Sequence, residues 1–363
     1  MVHHLYFHIP FCHRICPYCG FYKHQPGSTS FEQLADALIG ELAAVAKTHP
    51  VQPHTLYFGG GTPSIFPTAL WERFAAQLRD TVDCQYLEEW NLEANPKTFD
   101  ASKAEAWRAA GVTRASLGVQ SFDPFILERL GRDHSPKEAA QGVADLRKGG
   151  FEVVNIDLMF SIPGQTIEIW RDTLQAAIDL ESEHISAYNL TYEEDTPYLD
   201  KYISGKWQVD SDRDAEFFAL ADEMLGKAGF DHYEVSNYSK PGFRSTHNQA
   251  YWAGRDYLGL GPSAVSTVGV SRWKNISDTA AYVRMIDSLG YAKAEEERLS
   301  EEDRRLERLG LGLRADPGLF RAGFDTNALD HLAGGGLIEY QGDRFRLTLK
   351  GMMVADEVAG YLA

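Results

Sequence analysis

Cysteine is scarce in this chain, four in 363 residues, and no apolar run approaches the roughly 20 residues that a membrane-spanning helix needs. Positive charge is also in short supply. Lys and Arg number 35 against 52 Asp and Glu, a net charge of −17. A surface that acidic repels phosphate backbones and excludes nucleic acid as the natural partner. Residues 1–9 lack the basic start and long apolar stretch of a secretion signal, so the expected location is the cytoplasm, where thiols stay reduced. With 44% hydrophobic residues, the chain can bury one large core, or a large core with a small satellite.

The few cysteines that exist are not scattered. Cys12, Cys16 and Cys19 fall within eight positions, in the run Tyr6-Phe7-His8-Ile9-Pro10-Phe11-Cys12-His13-Arg14-Ile15-Cys16-Pro17-Tyr18-Cys19. Three thiolates on one short loop can hold a [4Fe-4S] cluster and leave one iron open to a small molecule. The competing readings are a zinc site, which needs a fourth ligand such as His8, His13 or His24, and a disulfide, which an odd triplet cannot complete. Cys84 stands alone and reads as a structural or surface thiol.

The hydrophobic pattern alternates between strand and helix. Strands are expected at 3–9, 55–58, up to 96 after Leu92, 114–119, 153–159 and 184–190, and helices at 31–47, 67–79, 102–110, 124–130, 136–149, 167–180 and 211–228. Six such units predict an α/β fold with a parallel sheet and right-handed crossovers, too few for a closed eight-stranded barrel and hence a partial (β/α)6 barrel over 1–228. Residues 229–277 show no sustained period and read as an ordered, irregular connection. Helices at 278–289, 300–312 and 325–333, a hairpin over 337–349 and a last helix at 350–362 predict a small winged-helix-like domain over 278–363. Because Glu301, Glu302 and Asp303 open its second helix, this domain reads as a packing or partner-contact module rather than a DNA reader.

The cysteine spacing, the aromatic before the third cysteine and the preceding Tyr-x-His-Ile-Pro-Phe resemble the radical S-adenosylmethionine (SAM) enzymes, in the branch around oxygen-independent coproporphyrinogen III oxidase. That resemblance implies a [4Fe-4S] cluster whose open iron is chelated by SAM, so that the cofactors carry the chemistry and the protein supplies binding and orientation. It also implies a SAM shell at the strand ends. Gly60, Gly61 and Thr62, in Gly59-Gly60-Gly61-Thr62-Pro63, match the segment that contacts the methionine amino group. A glycine triplet there lets the backbone approach closely and present N–H groups, although a glycine run alone is more often a turn. Glu93, Gln120, Arg132 and Asp157 fall in similar phrases, with Arg132 complementing the SAM carboxylate. Tyr6 and Tyr18 line the adenine in this reading; aromatic core is the alternative for Tyr6.

Two departures separate the chain from the true oxidases. Those carry a further cysteine two positions after the third, where this sequence has Phe21, and a longer N-terminal segment. In their place stands Thr246-His247-Asn248-Gln249-Ala250-Tyr251-Trp252, an HNxxYW phrase similar to the one that marks haem chaperones of the HemW type. By chemistry alone His247 reads as a structural histidine in a packed loop. The resemblance makes it a haem ligand flanked by aromatic rings, and implies a chaperone that binds haem and delivers it to acceptor haemoproteins such as respiratory-chain enzymes at the inner face of the membrane. The alternatives are a porphyrinogen-decarboxylating oxidase and a radical SAM enzyme with another substrate.

Overall fold

Alternation along the first six strands decides which residues make the core and which make the site. The computed structural model describes all 363 residues, Met1–Ala363. Strands β1 (Val2–Ile9), β2 (Val51–Gly60), β3 (Glu89–Ala94), β4 (Arg114–Gln120), β5 (Val153–Phe160) and β6 (His184–Asn189) pair side by side in chain order, all parallel. Helices α1 (Phe31–Val45), α2 (Thr68–Thr81), α3 (Ala101–Ala110), α4 (Pro124–Arg129), α5 (Pro136–Lys148) and α6 (Ile167–Asp179) connect them. Most begin on a side-chain cap, as at Ser30 and Ser135, where a Gln or Glu three residues on completes a capping box.

Leu5, Phe7, Leu56, Phe58, Trp90, Leu92, Ala115, Leu117, Val154 and Ile156 are buried with the helices outside the sheet, in one core of 56 residues. The alternate positions point the other way: Tyr6 beside Tyr57, Asn91 against Glu89, Ser116 against Asp157, and Asn155 against Ser186 and His184. A closed barrel of this type fills its interior with aliphatic layers. Here the inner face is polar, which suits a binding cavity.

Beyond β6 come α7 (Pro197–Ile203), α8 (Ser211–Lys227), β7 (Asp231–Glu234), β8 (Asn237–Ser239) and α9 (Thr246–Trp252). The chain then returns as β9 (Tyr257–Leu260), parallel to β1, and continues through β10 (Val265–Val268), β11 (Ser271–Asn275), α10 (Thr279–Leu289) and β12 (Lys293–Arg298). The twelve-stranded sheet runs β12-β11-β10-β9-β1-β2-β3-β4-β5-β6-β8-β7, and its two ends do not meet. The barrel is therefore open, as the count of six units predicts.

The stretch read as irregular is in fact built of five short strands and a helix. Pieces of three to five residues are too short to display a period, and they are held by pairing to the edges at β1 and β6. Tyr282, Val283 and Ile286 of α10 belong to the main core. The C-terminal layer has its own core of ten residues around Leu309, Leu329, Phe345 and Val358. It comprises α11 (Glu301–Leu313), β13 (Leu319–Phe320), α12 (Thr326–Gly334), β14 (Ile338–Gln341), β15 (Arg344–Leu347), α13 (Leu349–Met352) and α14 (Ala355–Leu362). The single helix expected at 350–362 is thus two, broken where Val354 leaves helical geometry at φ −130° and ψ 38°.

Candidate functional site

The cysteine loop follows the carboxyl end of β1, and its sulfurs are approached by donors from neighbouring strand ends. Thr62 Oγ1 donates to Cys12 Sγ at 3.5 Å, and Arg132 Nη1 to Cys16 Sγ at 3.6 Å. Lys23 Nζ donates to the Cys19 carbonyl. Burial pushes the Cys12 thiol up to about 11, opposed by the Thr62 bond, and raises Cys19 as well, opposed by the Lys23 charge. The histidines that a zinc site would recruit are engaged elsewhere. His8 Nε2 lies 2.8 Å from the Tyr22 carbonyl, His13 Nε2 lies 2.7 Å from Asp133, and His24 Nε2 lies 2.7 Å from Thr279 Oγ1. The donor set left is three thiols, which fits a cluster with one open iron better than four-coordinate zinc.

Gly60, Gly61 and Thr62 sit against this loop, but their N–H groups are not free for a ligand. Gly60 donates to Glu93 at 3.2 Å, Gly61 to the Ile9 carbonyl and Thr62 to the Phe11 carbonyl, both at 2.8 Å. An amino group needs acceptors, which this segment can supply only through its carbonyls and the Thr62 hydroxyl. The glycines are required for packing: a Cβ on Gly60, whose φ is +101°, would run into the His8 ring, and one on Gly61 would meet two backbone oxygens at 2.7 Å. Thr62 serves as a bridge, since Asn95 Nδ2 donates to its hydroxyl at 3.0 Å.

Asn95, for which the sequence pattern predicts no role, joins these groups. It links Thr62 to Arg132, whose Nη2 donates to Asn95 Oδ1 and, at 2.5 Å, to the Gly118 carbonyl. A Cβ on Gly118 would stand 3.1 Å from Asn95 Oδ1, 3.2 Å from Gln120 Nε2 and 3.4 Å from Arg132 Nη2, so the absent side chain lets those three groups converge. Arg132 Nε is buried without a partner. A buried guanidinium with an unused N–H fits the carboxylate of an amino-acid ligand. Gln120 is held at φ +69° where β4 ends.

Glu93 accepts from the Tyr57 hydroxyl at 2.8 Å, and burial raises its carboxyl to about 7. Asp157 is also raised by burial, although Ser116 and Asn155 each donate to it at 2.8 Å. Tyr18 lies 6.0 Å from the Tyr198 ring, against a satellite core containing Ile126, Leu130 and Trp207. It forms a wall beside Cys16 and Arg132.

Tyr6 and His247 belong to a second part of the cavity, deeper in the barrel. His247 lies in α9, not in an irregular loop, and the helix is anchored at the start of β3. Glu89 accepts from Ser245 Oγ at 3.0 Å, Thr246 N at 2.9 Å and His247 N at 3.0 Å. The His247 ring packs 5.1 Å from Tyr57, with Nδ1 2.8 Å from Thr55 Oγ1. Burial and the neighbouring His4 hold its pKa down at about 3, so the imidazole is neutral and able to ligate a metal. A cavity of about 570 Å³ joins both regions, lined by Gly60, Glu93 and the exposed Phe21 together with Tyr6, His247 and Tyr251. His247 is therefore continuous with the strand-end shell and only one residue, Tyr57, removed from Glu93. The inward alternation of Tyr57, Glu89, Asn91 and Asn155 was the sequence signal for these further residues.

A model of the Radical SAM superfamily matches residues 6–177. The chain is 33% identical to the haem chaperone HemW of Lactococcus lactis over 88% of this chain and 84% of that one. It is 32% identical to HemW of Bacillus subtilis over 98% and 97% respectively. The solved structure of coproporphyrinogen III oxidase (HemN) from Escherichia coli superposes with a TM-score of 0.85 at 22% identity, covering 99% of this chain and 89% of that one. This last likeness concerns the fold.

Proposed function

Because this chain belongs to the HemW family within the radical SAM superfamily, we propose that it is a haem chaperone, which binds haem on the HNxxYW helix and delivers it to acceptor haemoproteins. Membership in the superfamily brings a [4Fe-4S] cluster and SAM as resident cofactors. Cys12, Cys16 and Cys19 would hold the cluster. Gly60, Gly61, Thr62, Glu93, Gln120, Arg132 and Asp157 would surround SAM, the buried unpaired Nε of Arg132 meeting its carboxylate.

The observation that carries the haem reading is the setting of His247. Its Nδ1 is engaged by Thr55, whereas Nε2 has no protein partner beside a cavity lined by Tyr6, Tyr251 and Trp252. A neutral imidazole with one free nitrogen among aromatic rings is what a haem iron and its macrocycle require. Under this proposal 1–228 holds the resident cofactors, 229–277 supplies the haem ligand and the C-terminal layer, from Glu301 onward and not from 278, meets partners, since α10 and β12 pack with the main core and sheet. Acceptors include respiratory-chain enzymes reached at the inner face of the membrane; no helix of the chain is long and apolar enough to cross one.

The test is anaerobic cluster reconstitution followed by haem titration, with and without SAM, read by absorption. The parent protein is expected to give a ligand-dependent haem spectrum and to pass haem to an added apo-haemoprotein, and His247→Ala to lose or shift that spectrum while keeping its cluster. Conversion of coproporphyrinogen by the reduced protein, with no haem bound, would favour the oxidase reading instead.

A further inference from the structure

We infer that Thr55 is a positioning residue for the haem ligand, fixing His247 in the tautomer whose Nε2 lone pair faces the cavity; the inference rests on the haem reading above. The hydroxyl of Thr55, on the fully buried middle of β2, lies 2.8 Å from His247 Nδ1 and 2.9 Å from His4 Nδ1. A hydroxyl carries a single hydrogen. When it donates to one of these nitrogens, it accepts from an N–H on the other, so the two imidazoles are held in opposite tautomers.

Only one of the two arrangements lets iron bind. With the proton on His247 Nδ1, donated to Thr55, Nε2 is a free lone pair and His4 receives the Thr55 hydrogen. With the proton on His247 Nε2, that nitrogen cannot ligate. Iron at Nε2 therefore selects the relay His247 Nδ1–H to Thr55 O–H to His4 Nδ1. The backbone is held by the same rung of the sheet, because Glu89, which accepts the His247 N–H, is the register partner of Thr55 on β3. His4 crosses His247 edge to face with ring centres 6.3 Å apart, which fixes the far end of the relay.

Metal-ligating histidines commonly donate their second N–H to an oxygen, which orients the ring and increases its basicity, and removal of that oxygen typically costs roughly 10- to 100-fold in metal affinity. Thr55→Val keeps the shape and removes the hydroxyl; Thr55→Ser keeps it. Haem is titrated into the reconstituted full chain, and both the absorption spectrum and the ferric/ferrous midpoint potential are measured. Thr55→Val is expected to bind haem at least about tenfold more weakly, with a shifted spectrum and a more positive potential, because a less basic imidazole favours ferric iron less. Thr55→Ser should match the parent. Should Thr55→Val fail to fold, His4→Phe removes the relay's last acceptor and is expected to shift the potential in the same direction by less. A parent-like spectrum and potential in folded Thr55→Val, or in His4→Phe when that variant stands in, overturns the inference while His247→Ala still confirms the ligand. Haem binding unchanged in His247→Ala overturns the haem-ligand reading and the inference together.

Discussion

Glu89 Oε1 accepts the backbone N–H of His247 at 3.0 Å, across 158 residues of sequence. The same carboxylate binds Ser245 Oγ and Thr246 N, and Arg114 stands 3.4 Å from it while donating to the carbonyls of Phe243 and Arg244. Residues 243–247 are thus fastened to the inner starts of β3 and β4 by one buried ion pair. Breaking such a pair from one side typically costs about 3–5 kcal/mol, since the other charge is left buried. Glu89→Ala is expected to lower the urea midpoint and abolish haem binding, with the cluster iron retained; Glu89→Gln should do both to a smaller extent. Full haem affinity in Glu89→Ala would mean that α9 is positioned by something other than this carboxylate.

Much of the arrangement was legible in the chain itself. The six parallel strands carried clear periods, and the cysteine loop, the glycine triplet and the HNxxYW phrase named their own positions. Glu89 did not, because an acidic residue at the start of a strand reads as solvated unless its partners in α9 are known. Asn95 was hidden for a similar reason: its two bonds, to Thr62 and Arg132, each cross more than 30 residues. The strands between 231 and 275 were invisible because pairing to an edge, rather than local propensity, makes them.

Replacing Cys12, Cys16 or Cys19 singly with Ala should abolish the [4Fe-4S] cluster, since these three thiolates are the proposed protein ligands, whereas Cys84→Ala should retain it. Iron and sulfide content after anaerobic reconstitution decides this. A cluster-free Cys84→Ala protein would show that the ligands are misassigned.

Thr62→Val removes the hydroxyl that donates to Cys12 Sγ at 3.5 Å and accepts from Asn95. Hydrogen bonds to cluster sulfurs favour the more negative, reduced state. The midpoint potential of the cluster is therefore expected to fall in Thr62→Val and to return towards the parent value in Thr62→Ser. Titration followed by electron paramagnetic resonance measures it, and equal potentials in all three proteins would remove Thr62 from the cluster's surroundings.

Arg132→Gln should weaken SAM binding by roughly 10- to 100-fold, the equivalent of about 1.5–3 kcal/mol for a hydrogen bond to a charged group. The motive is the buried Nε without a partner beside Cys16. Anaerobic calorimetry with the cluster in place gives the constant directly. An unchanged value would place the SAM carboxylate elsewhere.

If Glu93 borders SAM as proposed, it gives the binding of SAM a pH dependence. Burial raises its carboxyl to about 7 in the folded chain, above its ordinary value of 4.5. Between those two values the folded state holds a proton that the unfolded state has lost, so the Glu93 contribution to stability is full below about 4.5 and declines as pH rises through 7. The ligand reverses the preference: a cationic SAM next to Glu93 favours the carboxylate. Affinity is therefore expected to rise by up to about tenfold per pH unit between pH 5.5 and 7 and to level off above it, with proton release from Glu93 on binding at pH 6. Any proton lost from the SAM amine itself persists in Glu93→Gln, so the difference between the two proteins isolates this group. Calorimetry at pH 6 in two buffers of unlike ionisation enthalpy counts the protons. Equal release and the same pH profile in parent and Glu93→Gln would show that Glu93 faces no positive charge of the ligand.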